Sequence, residues 1–329
     1  MRYQVIKLIL PDIFRIKVGE GRLDRASTLI HSDTLFSAIV NCYVKLFGED
    51  NVDSFIGRLV ISSLFYGIRA SDKDILFFPK PRLNIRTRED TKTIKKLEWI
   101  SGDAFKEIIS SFDAGSAYID MEKFDLLNSR FLISKKEEFR KDTGMLNFID
   151  KVLEPKVSLE RIYNTSRDLY FQEELEIKSI LLKDDTRVKP FLYFIVKEPV
   201  EELFSTLNLL IEEGIGGERS SGKGVFSSWE KDFIEIPEDG NYGILLSTVT
   251  PRKEEIGNII YYELIRRDGF IYHNSPVGIK KRTHFKISEG SFVRLPFEGE
   301  NINVSPVEDR RVISYGRSLY WTLKVREDG

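Results

Sequence analysis

The sequence has a single cysteine, Cys42, and three histidines, His31, His273 and His284. One thiol excludes an intramolecular disulfide, and so few sulfur and imidazole ligands cannot build a Cys/His zinc cage. A reducing, cytoplasmic compartment is the expectation. Long hydrophobic runs are missing as well, since no stretch approaches the roughly 18 uninterrupted apolar residues of a membrane span. The start, Met1 to Leu10, is interrupted by Lys7 and closed by Pro11, and reads as a strand rather than a targeting segment. Neither sign of charge is in excess. The 50 Lys and Arg stand against 52 Asp and Glu, and a net charge of −2 excludes a surface that coats nucleic acid throughout. Phosphate contacts must come from local basic patches.

What is present is enough apolar material for two cores: 329 residues, 41% hydrophobic and 12% aromatic. Residues 2 to 10 alternate toward a strand. Leu35, Phe36, Ile39, Val40, Tyr43, Val44 and Phe47 then recur at the helical period, with Ser32 or Asp33 as the expected cap. The polar turn Ser71-Asp72-Lys73-Asp74 between two β-prone runs predicts a hairpin. From 79 to 154 the pattern degrades into charged, partly helical segments, expected to be an insertion. Strand-like runs resume at 168–171, 177–182 and 191–196, an amphipathic helix covers 200–211, and a strand follows at 225–236. Strand, helix, paired strands, helix, strand is the ferredoxin-like plan and gives an α+β class. Pro237-Glu238-Asp239-Gly240 predicts a boundary, with domains at 1–238 and 239–329, the second smaller and strand-rich.

Between that helix and strand lies Gly214-Ile215-Gly216-Gly217-Glu218-Arg219-Ser220-Ser221-Gly222-Lys223-Gly224. Gly217-x4-Gly222-Lys223 superficially matches a phosphate-binding P-loop. That motif requires Ser or Thr after the lysine to hold Mg²⁺, where this chain has Gly224, and it runs strand to helix rather than helix to strand. The alternative chemistry is a phosphate cradle, because five glycines admit positive φ and bare their backbone N–H groups, while Arg219 and Lys223 add charge. The bland reading is a helix C-cap and turn, which Gly214 alone would satisfy.

Two further stretches, 275–286 and 310–324, are free of acids and mix cations with aromatics, a composition that suits unpaired RNA and also an ordinary strand face. The first holds Lys280, Lys281, Arg282, Lys286, His284 and Phe285; the second holds Arg310, Arg311, Tyr315, Arg317, Tyr320 and Trp321. Seven cations and two acids between Pro79 and Lys96 suit an arm touching RNA or a neighbouring subunit, or a surface loop. His31 could act as general base on a ribose 2′-OH, or simply pack or touch RNA. Asp33 alone does not make a metal site, since metal-assisted phosphoryl chemistry gathers several carboxylates.

His31-Ser32-Asp33-Thr34-Leu35-Phe36-Ser37-Ala38, the loop 214–224 and Ile313-Ser314-Tyr315-Gly316-Arg317-Ser318 together resemble one family. So do Arg161-x2-Asn164-x5-Tyr170-Phe171, Arg267-x-Gly269, Lys281 and Glu289-Gly290-Ser291. The chain is similar to the fourth subunit of the Csm effector complex, a RAMP-superfamily protein of type III-A CRISPR systems. The resemblance implies two ferredoxin-like (RRM-like) domains, capping of the 5′ tag of a guide RNA, contacts with the polymerase-like large subunit and a backbone RAMP subunit, and no nuclease activity or cofactor of its own. Carried onto this sequence, it implies RNA contacts at Gly216, Gly217, Arg219, Ser220, Ser221 and Lys223, and at His31, Ser32, Arg161, Asn164, Lys281 and Arg282. A guide-processing endoribonuclease using His31, and the corresponding subunit of a type III-B complex, are the rival readings.

Overall fold

The computed structural model describes residues 1–19, 25–70, 73–87, 91–113, 115–137, 147–160, 165–182, 185–271, 279–308 and 311–325. The chain opens with strands β1 (Arg2–Ile9) and β2 (Ile13–Ile16) and helix α1 (Ser32–Phe47), whose buried stripe includes Leu35, Phe36, Ile39, Cys42 and Tyr43 at helical spacing. Helix α2 (Val52–Arg58) and the hairpin β3 (Phe65–Ala70) and β4 (Lys73–Pro79) follow. Next come β5 (Asn84–Thr87), α3 (Thr91–Lys96), β6 (Trp99–Ser101), α4 (Gly102–Ser110), β7 (Ser116–Ile119), β8 (Phe124–Leu127) and β9 (Phe131–Ser134). Long strands β10 (Ile149–Glu160) and β11 (Thr165–Lys178) pair antiparallel. They lead through β12 (Ile180–Leu181) and β13 (Arg187–Val196) to α5 (Glu201–Glu213) and β14 (Ser228–Glu235).

The main sheet runs β14-β1-β13-β3-β4-β6-β9-β8. The β3–β4 hairpin forms as its turn chemistry predicts, yet β13 inserts between β1 and β3. Four antiparallel strands at one end of the sheet therefore read β14-β1-β13-β3, with α1 and α5 between them in the chain. Residues 79–154, expected as a charged and partly helical insertion, also supply β6, β8 and β9 to this sheet, β6 and β9 pairing in parallel. These strands are three or four residues long, too short to show a period, and become legible only once β4 offers them an edge.

The remainder carries β15 (Tyr242–Leu245), β16 (Ile259–Tyr261), β17 (Leu264–Arg267), β18 (His284–Ile287), β19 (Phe292–Arg294), β20 (Ile302–Asn303), β21 (Ile313–Ser314) and β22 (Tyr320–Leu323). Its sheet runs β16-β19-β15-β22, with β17–β18 and β20–β21 as separate hairpins. Among the described residues it contains one 3₁₀ turn, Lys253–Asn258, and no α-helix follows α5, which differs from the two helices of a ferredoxin-like unit. The reason is packing. Trp321 of β22 meets Phe78 and Phe105 edge-on, and Tyr242, Ile244, Trp321 and Leu323 join the same continuous core as β1, β3 and β13. A sheet that buries its face on another layer does not need helices to cover it. No helix among the described residues is long and apolar enough to cross a membrane.

Candidate functional site

The glycine turn is built by its neighbours. Gly214, at φ 72°, ends α5 and donates its N–H to Leu210 O at 2.8 Å, as a C-cap does. Ile215 N–H closes the turn on Gly224 O at 3.0 Å, and β2 anchors it: Gly217 N–H reaches Lys17 O at 2.9 Å and Gly224 N–H reaches Arg15 O at 2.8 Å. A Cβ on Gly224 would lie 2.0 Å from Ile215 O, and one on Gly216 2.6 Å from Lys17 O. Close approach and positive φ thus explain these glycines. The amides of Gly214, Ile215, Gly217, Ser221, Gly222 and Gly224 all donate inside the protein, so these glycine N–H groups of the expected cradle are already engaged. What the turn presents outward is a single 3₁₀ turn, Arg219–Ser221, flanked by left-handed Glu218 and Gly222, with Ser220 and Ser221 exposed. Ser221 Oγ donates to Glu218 O at 2.7 Å, and Arg219 lies 3.7 Å from Glu213.

Lys223 takes a different role from the phosphate contact expected of it. Its ammonium bonds Glu154 on β10 and, at 2.5 Å, Glu174 on β11, whose side chain is only 1% exposed. Lys223 holds the Glu154 carboxyl down at about 2. Lys156 reaches Glu218 at 3.3 Å across the same contact. One face of the β10–β11 hairpin is therefore riveted to the turn by paired charges. The other face shows Leu153, Val157, Leu169 and Phe171 to solvent.

His31, Ser32 and Asp33 lie at a buried seam between α1 and the second unit. His31 is the N-cap residue, so neither Ser32 nor Asp33 caps the helix as expected. Its Nδ1 lies 3.0 and 3.1 Å from the two carboxylate oxygens of Glu289, which also accepts from Ser63 Oγ. Ser32 is fully buried; its N–H donates to Ser63 Oγ at 2.7 Å, and its Oγ meets Thr248 Oγ1 at 2.9 Å. Asp33 accepts two bonds from Arg267, at 2.9 and 2.7 Å, with Lys286 at 3.3 Å. Burial opposes the ionisation of Asp33, but Arg267 and Lys286 outweigh it and hold the carboxyl well below the usual range. Burial pushes Lys286 down to about 8. His31 and Ser32, expected as RNA contacts, and His31 as the alternative general base, have their side chains turned toward the protein interior.

Lys281 and Arg282 precede β18. The Lys281 amide bonds Gly269 O at 2.8 Å. Burial depresses its ammonium, with Asp33 opposing and Arg267 reinforcing, and among the described residues it has no ion-pair partner. Arg282 is exposed, with Nε donating to Ser305 O. Arg161 and Asn164 lie outside the described residues. In the second acid-free stretch, Tyr315 and Trp321 are core residues, so of the two stretches only 275–286 presents an aromatic, Phe285, largely to solvent. Sequence reasoning gave no role to Ser63 or Thr248, and placed Lys286 only in a basic stretch and Glu289 only in a family motif, because the partners that bring them to His31, Ser32 and Asp33 lie far away in the chain.

Residues 238–323 match the family model of the CRISPR Csm4 C-terminal domain. The CRISPR system protein Csm4 of Methanocaldococcus jannaschii is 31% identical over 332 residues, covering 88% of this chain and 86% of its own length. That of Thermococcus onnurineus is 27% identical over 280 residues, covering 80% and 81%. Among solved structures, a chain of the Csm3-Csm4 subcomplex of the type III-A interference complex aligns over 98% of this chain and 100% of its own, with a TM-score of 0.66 and 23% identity. A chain of a Csm1-Csm4 cassette in complex with cA4 aligns over 99% and 100%, at 0.56 and 18%. At these identities the structural likeness speaks for the fold.

Proposed function

The chain belongs to the Csm4 family of type III-A CRISPR effector complexes, and from that premise we propose that it is the RNA-binding, non-catalytic subunit that caps the 5′ tag of the guide RNA in antiviral defence. In this reading it docks the polymerase-like large subunit on one side and the first backbone RAMP subunit on the other, and β1, α1, β3, β13, α5 and β14 form a ferredoxin-like unit. The observation that carries RNA binding is the rigid turn 216–222. It is fastened to β2 from behind and holds Ser220 and Ser221 in solvent, with the partly buried Arg219, paired to Glu213, beside them on a preset backbone. Such a turn suits a phosphate backbone, because little ordering entropy remains to be lost on binding.

The absence of catalysis in this reading is supported by His31. Its side chain is only 6% exposed at a buried seam, where a substrate 2′-OH would have little room to reach the ring.

Two measurements test the proposal. Reconstituting the effector complex with Arg219→Ala and Ser220→Ala should weaken guide retention about 10-fold or more, from loss of charge-assisted hydrogen bonds. Unchanged retention would move the subunit to a purely protein-binding scaffold. Incubating the purified chain with repeat RNA in the absence of metal should give no cleavage; specific cleavage lost in His31→Ala would instead identify a guide-processing endoribonuclease.

A further inference from the structure

We infer that the outer face of the β17–β18 hairpin is a second RNA site, a platform on which an unpaired base stacks. The inference rests on the RNA-binding reading above and adds a location and a mode of contact. In an antiparallel pair directly opposed residues share a face. Leu264 opposes Ile287 and Arg266 opposes Phe285 on one face, while Ile265 opposes Lys286 and Arg267 opposes His284 on the other. The second face is fixed from within: Arg267 and Lys286 grip Asp33 of α1, Lys286 donates to Tyr315 O, and His284 Nε2 meets Ser314 Oγ at 2.9 Å.

The first face is anchored at one end, where Ile287 is buried against Leu245 and Val249, and open at the other. Phe285 is 60% exposed and Leu264 57%, with Arg266 beside them and Phe270 bridged to Lys280 at the hairpin's end. Arg266 lies 3.2 Å from Asp268, and its guanidinium remains largely solvent-accessible. Exposed Lys280 and Arg282 flank the strand in a run from 279 to 288 without one acidic residue, while the partly buried Lys281 lies toward Asp33. An exposed ring framed by cations on a fixed strand is the chemistry that binds single-stranded RNA, since every base has a π-face and every phosphate a charge.

The test uses the full chain, alone and in the assembled complex, with fluorescent single-stranded RNA and the same oligomer carrying abasic sites. Phe285→Ala removes no charge and truncates a side chain that is 60% exposed; it should weaken binding of the intact RNA by about 5- to 150-fold and that of the abasic RNA hardly at all. Phe285→Trp should restore affinity, with its fluorescence quenched by intact RNA only. Arg266→Gln should lower the log–log salt slope by about 0.7. If wild type binds RNA and responds to Arg219→Ala, but Phe285→Ala stays within twofold on both oligomers, the platform is overturned and the function reading survives. Loss of subunit assembly in Phe285→Ala without loss of RNA affinity would make the face a protein interface and also overturn it. Wild type that binds no RNA in either form defeats both.

Discussion

Asp33 occupies the first turn of α1 with its carboxylate divided between Arg267 and Lys286, and an enclosed charge of this kind is stable only while its partners are present. Asp33→Ala removes the carboxylate that offsets the charge of two enclosed cations and should lower unfolding free energy by about 3–5 kcal/mol in urea. The pH dependence has two limbs. Asp33 titrates lower in the folded chain than in the unfolded one, so its contribution is full above the unfolded value of about 3.9 and is lost as pH falls through the folded value. Lys286 is also depressed, to about 8, against about 10.4 when unfolded. Between those values the unfolded chain binds the extra proton, so stability climbs with pH from about 8 to 10. Urea midpoints measured across that window should rise in the wild type, and the rise should flatten in Lys286→Met. Lys223 follows the same physics. Lys223→Met strands Glu174 in the interior, so a loss of guide RNA in this variant would have to be accompanied by a loss of stability, seen as a lower thermal midpoint.

At the scale of elements, the glycine turn separates positions that pack from positions that merely bend. Gly224 and Gly222 both sit at positive φ, but only Gly224 has a carbonyl within reach of an added methyl. Gly222→Ala should cost about 1–2 kcal/mol from backbone strain alone, whereas Gly224→Ala adds a clash and should exceed that by at least about 1 kcal/mol. Equal midpoints for the two in thermal unfolding would contradict this account. The same region shows why the single strand β11 reads in sequence as separate runs at 168–171 and 177–182. Gln172, Glu173 and Glu174 break the apolar pattern of 165–178, yet Glu174 faces inward to Lys223 and Glu173 accepts the Ala26 N–H, so the strand is continuous. Helices α1 and α5 were legible because their stripes face a core directly. Polar residues satisfied by distant partners leave no periodic trace.

The whole molecule closes around one principal core. Rings from residues 78 and 105 meet Trp321, and Tyr315 hydrogen-bonds the backbone of Ile61, so the two halves share an interior across the 238/239 boundary. Calorimetry should therefore find a single transition with equal van't Hoff and calorimetric enthalpies, and a fragment of residues 1–237 should fail to give a cooperative transition. Two resolved transitions would separate the halves as independent folding units. The sequence by itself determined the α+β class, both central helices, the β3–β4 hairpin and the position of the glycine turn, because each follows from local periodicity or turn chemistry within a few residues. It determined the family as well, through motifs spread over most of the chain. Only the tertiary structure decided that β13 lies between β1 and β3, that His31 and Ser32 face inward, that Lys223 is a rivet and that Phe285, unlike Trp321, is left in solvent. Each of those outcomes depends on which residue a side chain meets across tens or hundreds of positions, and burial and charge pairing are properties of that meeting rather than of the local sequence.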